Sequence, residues 1–220
     1  MRSRAPMELR DDAPTEDHLV QLSNATWEDY ERVLEMRGDR SAPRVTYLEG
    51  LLEIMSPSND HERIKSLIAC LVEAYCLRED IPFMPYGSWT LKKRRARRGA
   101  EADECYVFGE RKADRPDLAI EVIWTSGGLD KLEVYCGLGV PEVWIWRQGR
   151  LSVHALRAAS RTRRSRATRA TKSPARKPRY VELTRSELLP DLDLDLLVQF
   201  LDRKTVNAAV RDFLRALASK

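Results

Sequence analysis

Two acidic side chains and one amine, in three consecutive segments, have the spacing of a site for phosphodiester chemistry. Asp103 begins an apolar segment at 103–108, and Glu121 lies inside a second at 117–124. Lys131 lies near the start of a short helical pattern. An ionised carboxylate inside an apolar strand is costly without a partner, so Glu121 is the first candidate functional group. If the two segments are neighbouring strands, both acids can point to the same end of one face.

Two carboxylates and a backbone carbonyl, from Val122 or Ile123, would form a hard oxygen site that suits Mg²⁺, with Mn²⁺ as a possible substitute. A metal held by Asp103 and Glu121 would acidify a bound water and neutralise charge on a phosphate. Lys131 would orient that water or stabilise the same charge. Any one of these residues alone indicates little, since a single acid in a strand is more often a surface or edge residue, and it is the combination that favours function.

Four further side chains are secondary candidates. Glu62 and His61 open a long predicted helix, where an acid is favoured by the helix dipole and a histidine can simply pack. Glu53 interrupts an apolar strand and could border the same cleft. Asp117 competes with Asp103 for the role of first acid. In a strand, however, it would lie about 13 Å from Glu121, from four steps of ~3.3 Å, which is too far to share one ion.

Positive charge is concentrated in two segments. A basic loop precedes Asp103 and could hold a DNA backbone through sequence-independent contacts, or could be a solvated hairpin tip. It contains Lys92, Lys93, Arg94, Arg95, Arg97 and Arg98. The stretch 157–179 carries ten cations and no acid, and removing them from the net charge of +4 leaves −6 for the rest of the chain. That stretch could tether nucleic acid or have no role.

Composition bounds the class of protein. The chain has 220 residues, 43% of them hydrophobic and 33% charged, which is enough for one domain with a real core. It has no apolar run of roughly 20 residues and no apolar core of a secretory signal near residue 1, so neither a membrane span nor secretion is expected. Four cysteines without metal-site spacing predict reduced thiols in a cytoplasmic protein.

Periodicity predicts a mixture of strands and helices, and hence an α/β fold of mixed α+β type with flanking helices. Thr26 should cap a first helix that ends at Gly38. The other predicted helices are 60–78, 129–136, 192–201 and 205–217. The predicted strands are 44–48, 51–55, 82–86, 88–92, 103–108, 117–124, 142–147, 151–156 and 180–183. Strands 82–86 and 88–92 are expected to pair around Gly87, and 103–108 to neighbour 117–124.

The predicted domain organisation has four parts. Residues 1–22 are a flexible N-terminal arm, and 23–156 form the core. Residues 157–178, which lack large apolar side chains, form a basic disordered insertion. Residues 179–220 provide the final strand and the C-terminal helices of the same domain.

Several motifs, in this order, resemble the Uma family of restriction-endonuclease-like proteins, in the PD-(D/E)XK nuclease superfamily. The resemblance covers about residues 27–201. The motifs are Leu52-Glu53-Ile54-Met55-Ser56-Pro57 with His61-Glu62, Gly99-Ala100-Glu101-Ala102-Asp103, Arg115-Pro116-Asp117-Leu118-Ala119-Ile120-Glu121-Val122, Asp130-Lys131-Leu132-Glu133-Val134-Tyr135, and Gly139-Val140-Pro141-Glu142-Val143-Trp144.

The resemblance implies a restriction-endonuclease-like core around a mixed β-sheet. It also implies roles for particular residues: Asp103 and Glu121 correspond to the metal-binding acids. Lys131 corresponds to a lysine that has moved onto the helix, because the usual in-strand position is Ile123 here. Ala102 replaces the proline that gives the motif its name, which provides no ligand.

Three hypotheses follow from the sequence. The first is a Mg²⁺-dependent DNA endonuclease. The second is a nuclease-fold protein that binds nucleic acid without cutting it. The third is an interaction protein in which the aromatic strand 144–146 and the C-terminal helices form a homodimer surface.

Overall fold

Two β-sheets and the helices that cover them form the protein. A computed structural model describes residues 16–158 and 177–219. Its strands are β1 (His18–Leu22), β2 (Arg44–Leu48), β3 (Leu51–Ser56), β4 (Phe83–Pro85), β5 (Thr90–Lys93), β6 (Arg98–Glu101), β7 (Glu104–Phe108), β8 (Leu118–Val122), β9 (Glu142–Arg147), β10 (Arg150–Arg157) and β11 (Arg179–Leu183). Its helices are α1 (Trp27–Arg37), α2 (Asn59–Arg78), α3 (Lys131–Leu138), α4 (Leu194–Val198) and α5 (Val206–Ala218), with a 3₁₀ turn at Arg94–Ala96.

The larger sheet has six strands in the order β11-β10-β9-β8-β7-β4. Strands β8 and β9 are parallel and are joined through α3, while the other neighbours are antiparallel. The smaller sheet, β1-β3-β2-β6-β5, is antiparallel throughout. The predicted α/β class with a mixed sheet is confirmed, whereas the separate antiparallel sheet was not expected from the sequence.

The first face of the larger sheet packs against α2, α4 and α5. Inward-facing residues of β8 and β9, such as Ile120 and Trp144, contact the apolar stripe of α2 and the C-terminal helices. Ser58 caps α2 by accepting a hydrogen bond from the His61 N–H at 3.2 Å. This face is almost entirely apolar and closes the core on that side.

The opposite face of β8 and β9 packs against α3 and the smaller sheet. Ala119, Val134 and Val143 belong to this second cluster, as do Leu91 and Ala100 of the smaller sheet. Successive strand residues alternate between faces, so Glu121 shares this side with Ala119. The acid therefore points toward α3 and the smaller sheet, between the two layers.

Tight turns and caps follow the predicted local chemistry. The Glu49-Gly50 turn joins Leu48 to its partner Leu51, with positive φ at both turn residues, as in a type I′ hairpin. Thr26 caps α1 in a reciprocal capping box with Asp29. These features confirm the predicted Thr26 cap and the predicted strands at 44–48 and 51–55.

Three details differ from the sequence-based expectations. Residues 18–22 form β1, paired antiparallel with β3, so the prediction of a flexible arm is wrong for this stretch. As a mostly exposed edge strand, β1 lacks the apolar signal of a buried one. Strands β4 and β5 do not pair with each other: β4 pairs with β7 and β5 with β6, in different sheets. The end of the predicted basic loop begins strand β6 at 98–101, whose Arg-Gly-Ala-Glu sequence has a low β propensity.

Parts of the predicted arm and insertion lie outside the described residues, namely 1–15 and 159–176. Arg157, assigned to the insertion, is the last residue of β10, and its guanidinium donates to Glu187 at 2.9 Å. Within the described part of the chain, no helix is long and apolar enough to cross a membrane. All four cysteines are free thiols.

Candidate active site

Glu121 and Lys131 meet between the two sheets. Glu121 is the fourth residue of β8 and is 2% exposed, while Lys131 is the first residue of α3 and is 9% exposed. The Lys131 amine lies 3.5 Å from Glu121 Oε2 and donates to Thr46 Oγ1 at 3.0 Å. Asp130 caps α3 by accepting from the Glu133 N–H, which fixes where the helix begins. The connection from β8 to α3 therefore places the Lys131 amine beside the Glu121 carboxylate.

Glu53 of β3 reaches the same amine. Its Oε1 lies 3.8 Å from Lys131 Nζ, and its Oε2 accepts from the Leu129 N–H at 2.7 Å and from Gln21 Nε2 at 3.1 Å. The carboxylate is 2% exposed. The structure thus brings this secondary candidate beside Glu121, with one cation shared between two buried acids.

Tyr135 fixes the other oxygen of Glu121. Its hydroxyl donates to Glu121 Oε1 from the next turn of α3. Burial, with the charge of Glu121, raises the pKa of Tyr135 well above its usual value, so the phenol remains a proton donor at neutral pH. The tyrosine is buried but is more than core packing, and its spacing of four residues from Lys131 was the available signal.

Ile123 occupies the place where the superfamily pattern has a lysine. It lies two residues beyond Glu121, and it lines the same cleft as Lys131. Lys131 of α3 therefore lines the same space as the side chain at position 123. The role of Lys131 as the equivalent of a strand lysine stays a prediction.

Asp103 lies next to this group, between β6 and β7. Its Oδ2 accepts a hydrogen bond from the Val122 N–H at 2.6 Å, so the side chain is fixed against the residue that follows Glu121. Its Oδ1 forms a buried ion pair with the guanidinium of Arg44 on β2 and lies 3.2 Å from His61 Nε2. Asp103 directly precedes β7, and Glu121 lies in the paired strand β8, so the two predicted metal-binding acids are at the same end of adjacent strands.

His61 belongs to a buried network around Asp103. Its Nδ1 lies 3.0 Å from Asp17 Oδ2, and its Nε2 lies 3.1 Å from Arg44 Nη1. Nε2 thus lies close to both a donor, the Arg44 guanidinium, and an acceptor, Asp103 Oδ1 at 3.2 Å, while Nδ1 faces the Asp17 carboxylate. Asp17 also accepts from the Ser58 N–H at 2.8 Å, which anchors it to the start of α2. The histidine ring is therefore held at both nitrogens, between Asp17 on one side and the Arg44–Asp103 pair on the other.

Glu62 forms the outer edge of this network. It accepts from Arg44 Nη2 and pairs with Lys65 Nζ, each at 2.7 Å. Burial opposes its ionisation, but the hydrogen bond from Lys65 and the charge of Arg44 outweigh that cost, so the pKa of Glu62 is lowered. Glu62 is therefore an anion that shares a guanidinium with Asp103.

Asp117 does not reach the cluster. Its Oδ2 accepts from the Phe108 N–H at 2.9 Å, and its Oδ1 pairs with Arg111 at the far end of β8. It closes the turn between β7 and β8. This position agrees with the preference for Asp103 as the first acid.

The predicted DNA-binding loop divides into different environments. Arg98 is buried against α3, where it pairs with Glu133 at 3.2 Å, so its guanidinium is committed to the interior. Lys92 and Arg94 pair with Glu31 and Glu28 of α1, and Arg97 donates to the Tyr47 hydroxyl at 3.4 Å. Lys93 and Arg95 are exposed and form no ion pair with a described residue.

The buried acids fit a hard divalent cation by donor chemistry. Among residues 16–158 and 177–219, no three His, Cys, Asp or Glu side chains are grouped to hold a metal ion. However, Asp103 Oδ1 is buried and accepts no well-formed hydrogen bond from a described residue, although it faces Arg44. Carboxylate oxygens of this kind are the ligands that Mg²⁺ prefers. Arg44 and Lys131 now provide the positive charge beside Asp103 and Glu121.

Signals for some members of this site were weak or absent in the sequence. Arg44 and Thr46 lie on one face of β2, a strand that was predicted without any functional residue. Asp17 and Gln21 belong to the stretch predicted as a flexible arm. Each is a common residue type without a diagnostic spacing, so only the pairing of strands reveals its place.

The structure combines a mixed sheet, a parallel crossover through the short helix α3, and an ion pair between Glu121 of β8 and Lys131 at the start of that helix. The family model Uma2, described as "Putative restriction endonuclease", matches residues 27–196. The chain therefore belongs to this family, as its motifs predicted. A search of the curated proteins found no match to this chain.

Proposed function

We propose that this protein is a Mg²⁺-dependent endonuclease that hydrolyses DNA phosphodiester bonds, with Mn²⁺ as a possible substitute. The observation that carries the proposal is the convergence of Glu121, Glu53 and the Lys131 amine in one buried group, with Asp103 fixed beside it. The family description supports a nuclease, and the metal and the DNA substrate are inferred from the chemistry of the site.

Asp103 and Glu121 would hold the metal, and Glu53 and Glu62 are acids at the margin of the same site. When bound, a divalent ion supplies charge neutralisation for the phosphate and a more acidic water. Arg44 pairs with Asp103 in this structure, but it also donates to Glu62. The guanidinium therefore keeps a partner when Asp103 takes a different cation.

Lys131 would act on the substrate through its amine. Thr46 accepts one of the amine protons at 3.0 Å, which leaves the remaining donors for Glu121 and for a phosphate oxygen or the attacking water. A fixed ammonium in a site that is 9% exposed is weakly screened by solvent, so it can stabilise negative charge that develops on a phosphate. Tyr135 holds the Glu121 carboxylate in place during this step.

A plasmid-nicking assay with matched variants tests the proposal. Purified full-length protein is incubated with supercoiled plasmid in Mg²⁺ and, separately, in Mn²⁺. We expect nicking by the wild type and by Asp117→Asn, and a loss of at least tenfold, equivalent to about 1.4 kcal/mol of barrier, in Glu121→Gln and Asp103→Asn. Circular dichroism and thermal melting identify any variant that loses activity only because it unfolds. Plasmid that stays supercoiled with folded wild type in both metals would overturn the proposal.

A second candidate function is nucleic-acid binding without cleavage. It is favoured by the internal pairing of the acids, since Arg44 faces Asp103 and Lys131 faces both Glu121 and Glu53. In that case calorimetry would detect no heat from Mn²⁺ binding, and Glu121→Gln would bind DNA as tightly as the wild type. A homodimer and a cytoplasmic location stay predictions.

A further inference from the structure

A cleft of about 710 Å³ opens beside Lys131 on the α3 side of the larger sheet. Its floor is formed by β8, β9 and β10, and its walls include the start of α3 and the β9–β10 turn. Ile145 of β9, Ser152 of β10 and Ile123, which directly follows β8, line it. The lining of the cleft therefore includes Lys131, at the start of α3, and the tip of the β9–β10 hairpin.

The outer end of this cleft carries two arginines in direct opposition. Arg147 of β9 and Arg150 of β10 are cross-strand partners on either side of the Gln148-Gly149 turn. Like charges in such a pair are destabilising. Arg150 is compensated by Glu182 of β11, but Arg147 is exposed and forms no ion pair with any residue that the structure describes. The fold itself thus gains nothing from the charge of Arg147.

Two other polar side chains in the cleft already form hydrogen bonds within the protein. Asp130, an acid in the lining, accepts from the Glu133 N–H as the cap of α3. His154 lies 3.0 Å from Ser152 Oγ, and burial lowers its pKa, so it is a neutral group at pH 7. The cations available to an incoming anion are therefore Lys131 at the inner end and Arg147 at the outer end.

We propose that this cleft binds the DNA backbone beside the cleaved bond, with Arg147 as a positioning residue that contacts a neighbouring phosphate. The inference rests on the proposed nuclease function and assigns its substrate path. Two strand spacings, from β8 to β10, make the cleft roughly 10 Å wide, since neighbouring strands lie about 4.8 Å apart. That span corresponds to about three nucleotides of one strand, at a rise of 3.4 Å each.

The cleft is better placed for this contact than most of the basic loop at 92–98. In that loop Arg98 is buried against α3, and Lys92 and Arg94 already pair with acids of α1. Arg147 has no such internal partner among the described residues and shares a cleft with Lys131. The substrate would therefore extend from the candidate active site across β9 and β10.

A binding assay that needs no cleavage tests the inference. Fluorescence anisotropy is measured with a fluorescein-labelled DNA duplex, and with the single strand, over a range of salt concentrations in EDTA and in Ca²⁺. Arg147→Gln should weaken binding and lower the slope of log K against log [salt] by about 1, as expected for the loss of one phosphate contact. Arg32→Gln, which removes an exposed cation on α1, is the matched control and should leave the slope unchanged.

The outcomes separate this inference from the nuclease proposal. If Arg147→Gln lowers the salt slope while wild type cuts no plasmid, the cleft binds DNA and the nuclease proposal fails. If Glu121→Gln abolishes cleavage while Arg147→Gln binds and cuts like the wild type, the cleft inference fails alone. For an active enzyme, Arg147→Gln should raise KM more than it lowers kcat. Absence of DNA binding by the wild type would overturn both.

Stability measurements complete the test. Arg147 is exposed and opposes Arg150, so Arg147→Gln should keep or slightly raise Tm. A lower Tm together with weaker binding would instead show that the arginine supports the hairpin, and would count against a phosphate contact.

Discussion

Replacing Lys131 with methionine tests whether the amine is the internal counter-ion of two buried acids. The methionine keeps the unbranched shape of the side chain but removes the charge that lies 3.5 Å from Glu121 and 3.8 Å from Glu53. Removing one partner of a buried ion pair costs about 3–5 kcal/mol, because the other charge is left uncompensated. Here Tyr135 and the Leu129 N–H still donate to the acids, so the lower end of that range is expected.

A loss of about 3 kcal/mol should lower Tm by roughly 6–12 °C for a chain of this size. Lys92→Met is the matched control. Lys92 pairs with Glu31 at 3.4 Å, and the two side chains are 50% and 34% exposed. Partly exposed pairs of this kind contribute at most about 1 kcal/mol, so the control should lose no more than about 4 °C.

Differential scanning fluorimetry with and without divalent metal measures the Tm of each variant and the change of that Tm when metal is added. Once the amine is gone, the uncompensated Glu53 and Glu121 should attract a cation. Millimolar Mn²⁺ should therefore raise the Tm of Lys131→Met by more than it raises that of the wild type. Equal Tm values for Lys131→Met and Lys92→Met would refute the claim that the buried acids depend on this amine. Equal changes of Tm on metal addition in Lys131→Met and wild type would refute the cation site.

Two further predictions concern single carboxylates and their donors. Burial, opposed by Lys65 and reinforced by Glu73, raises the pKa of Glu104 above its usual 4.5. The folded state thus holds this proton more tightly than the unfolded chain, and stability from this group is lost as pH rises from 4.5 through the folded pKa. Glu104→Gln should therefore raise Tm at pH 8 relative to wild type, and the gain should vanish near pH 4; a constant difference in Tm across that range would contradict the assignment. Tyr135→Phe removes a hydrogen bond to the buried Glu121 and should cost about 1.5–3 kcal/mol in urea unfolding, and a change below about 0.5 kcal/mol would show that another donor replaces the phenol.

Local patterns predicted most of the elements because their signals lie within a few residues. The apolar stripe of α2, its Ser58 cap and the Glu49-Gly50 turn each specify their own conformation. The same holds for Glu121, since an acid inside an apolar strand stands out without any knowledge of its neighbours. The structure places Lys131 beside it, but the catalytic role of either residue stays a prediction.

Strand pairing over long distances was less predictable. Gly87 suggested a hairpin between β4 and β5, but the chain uses it to pass from one sheet to the other, and a turn signal cannot distinguish these outcomes. Arg44 and Asp17 acquire their places around Asp103 only through contacts between residues far apart in the chain. Each is of a common type with no diagnostic spacing, so the sequence offered no pattern to recognise.

The edge strand β1 has a practical consequence for the choice of the fragment that is expressed and assayed. The family match spans 27–196, yet Gln21 bonds to Glu53 and to the Gly127 carbonyl, and Phe213 of α5 is fully buried. A fragment restricted to residues 27–196 would lack the edge strand β1 and helix α5 of the main core. It would also lack Asp17 and Gln21, whose side chains contact residues of the candidate site. Inactivity of such a trimmed fragment would therefore reflect where it was cut rather than the chemistry of the intact protein.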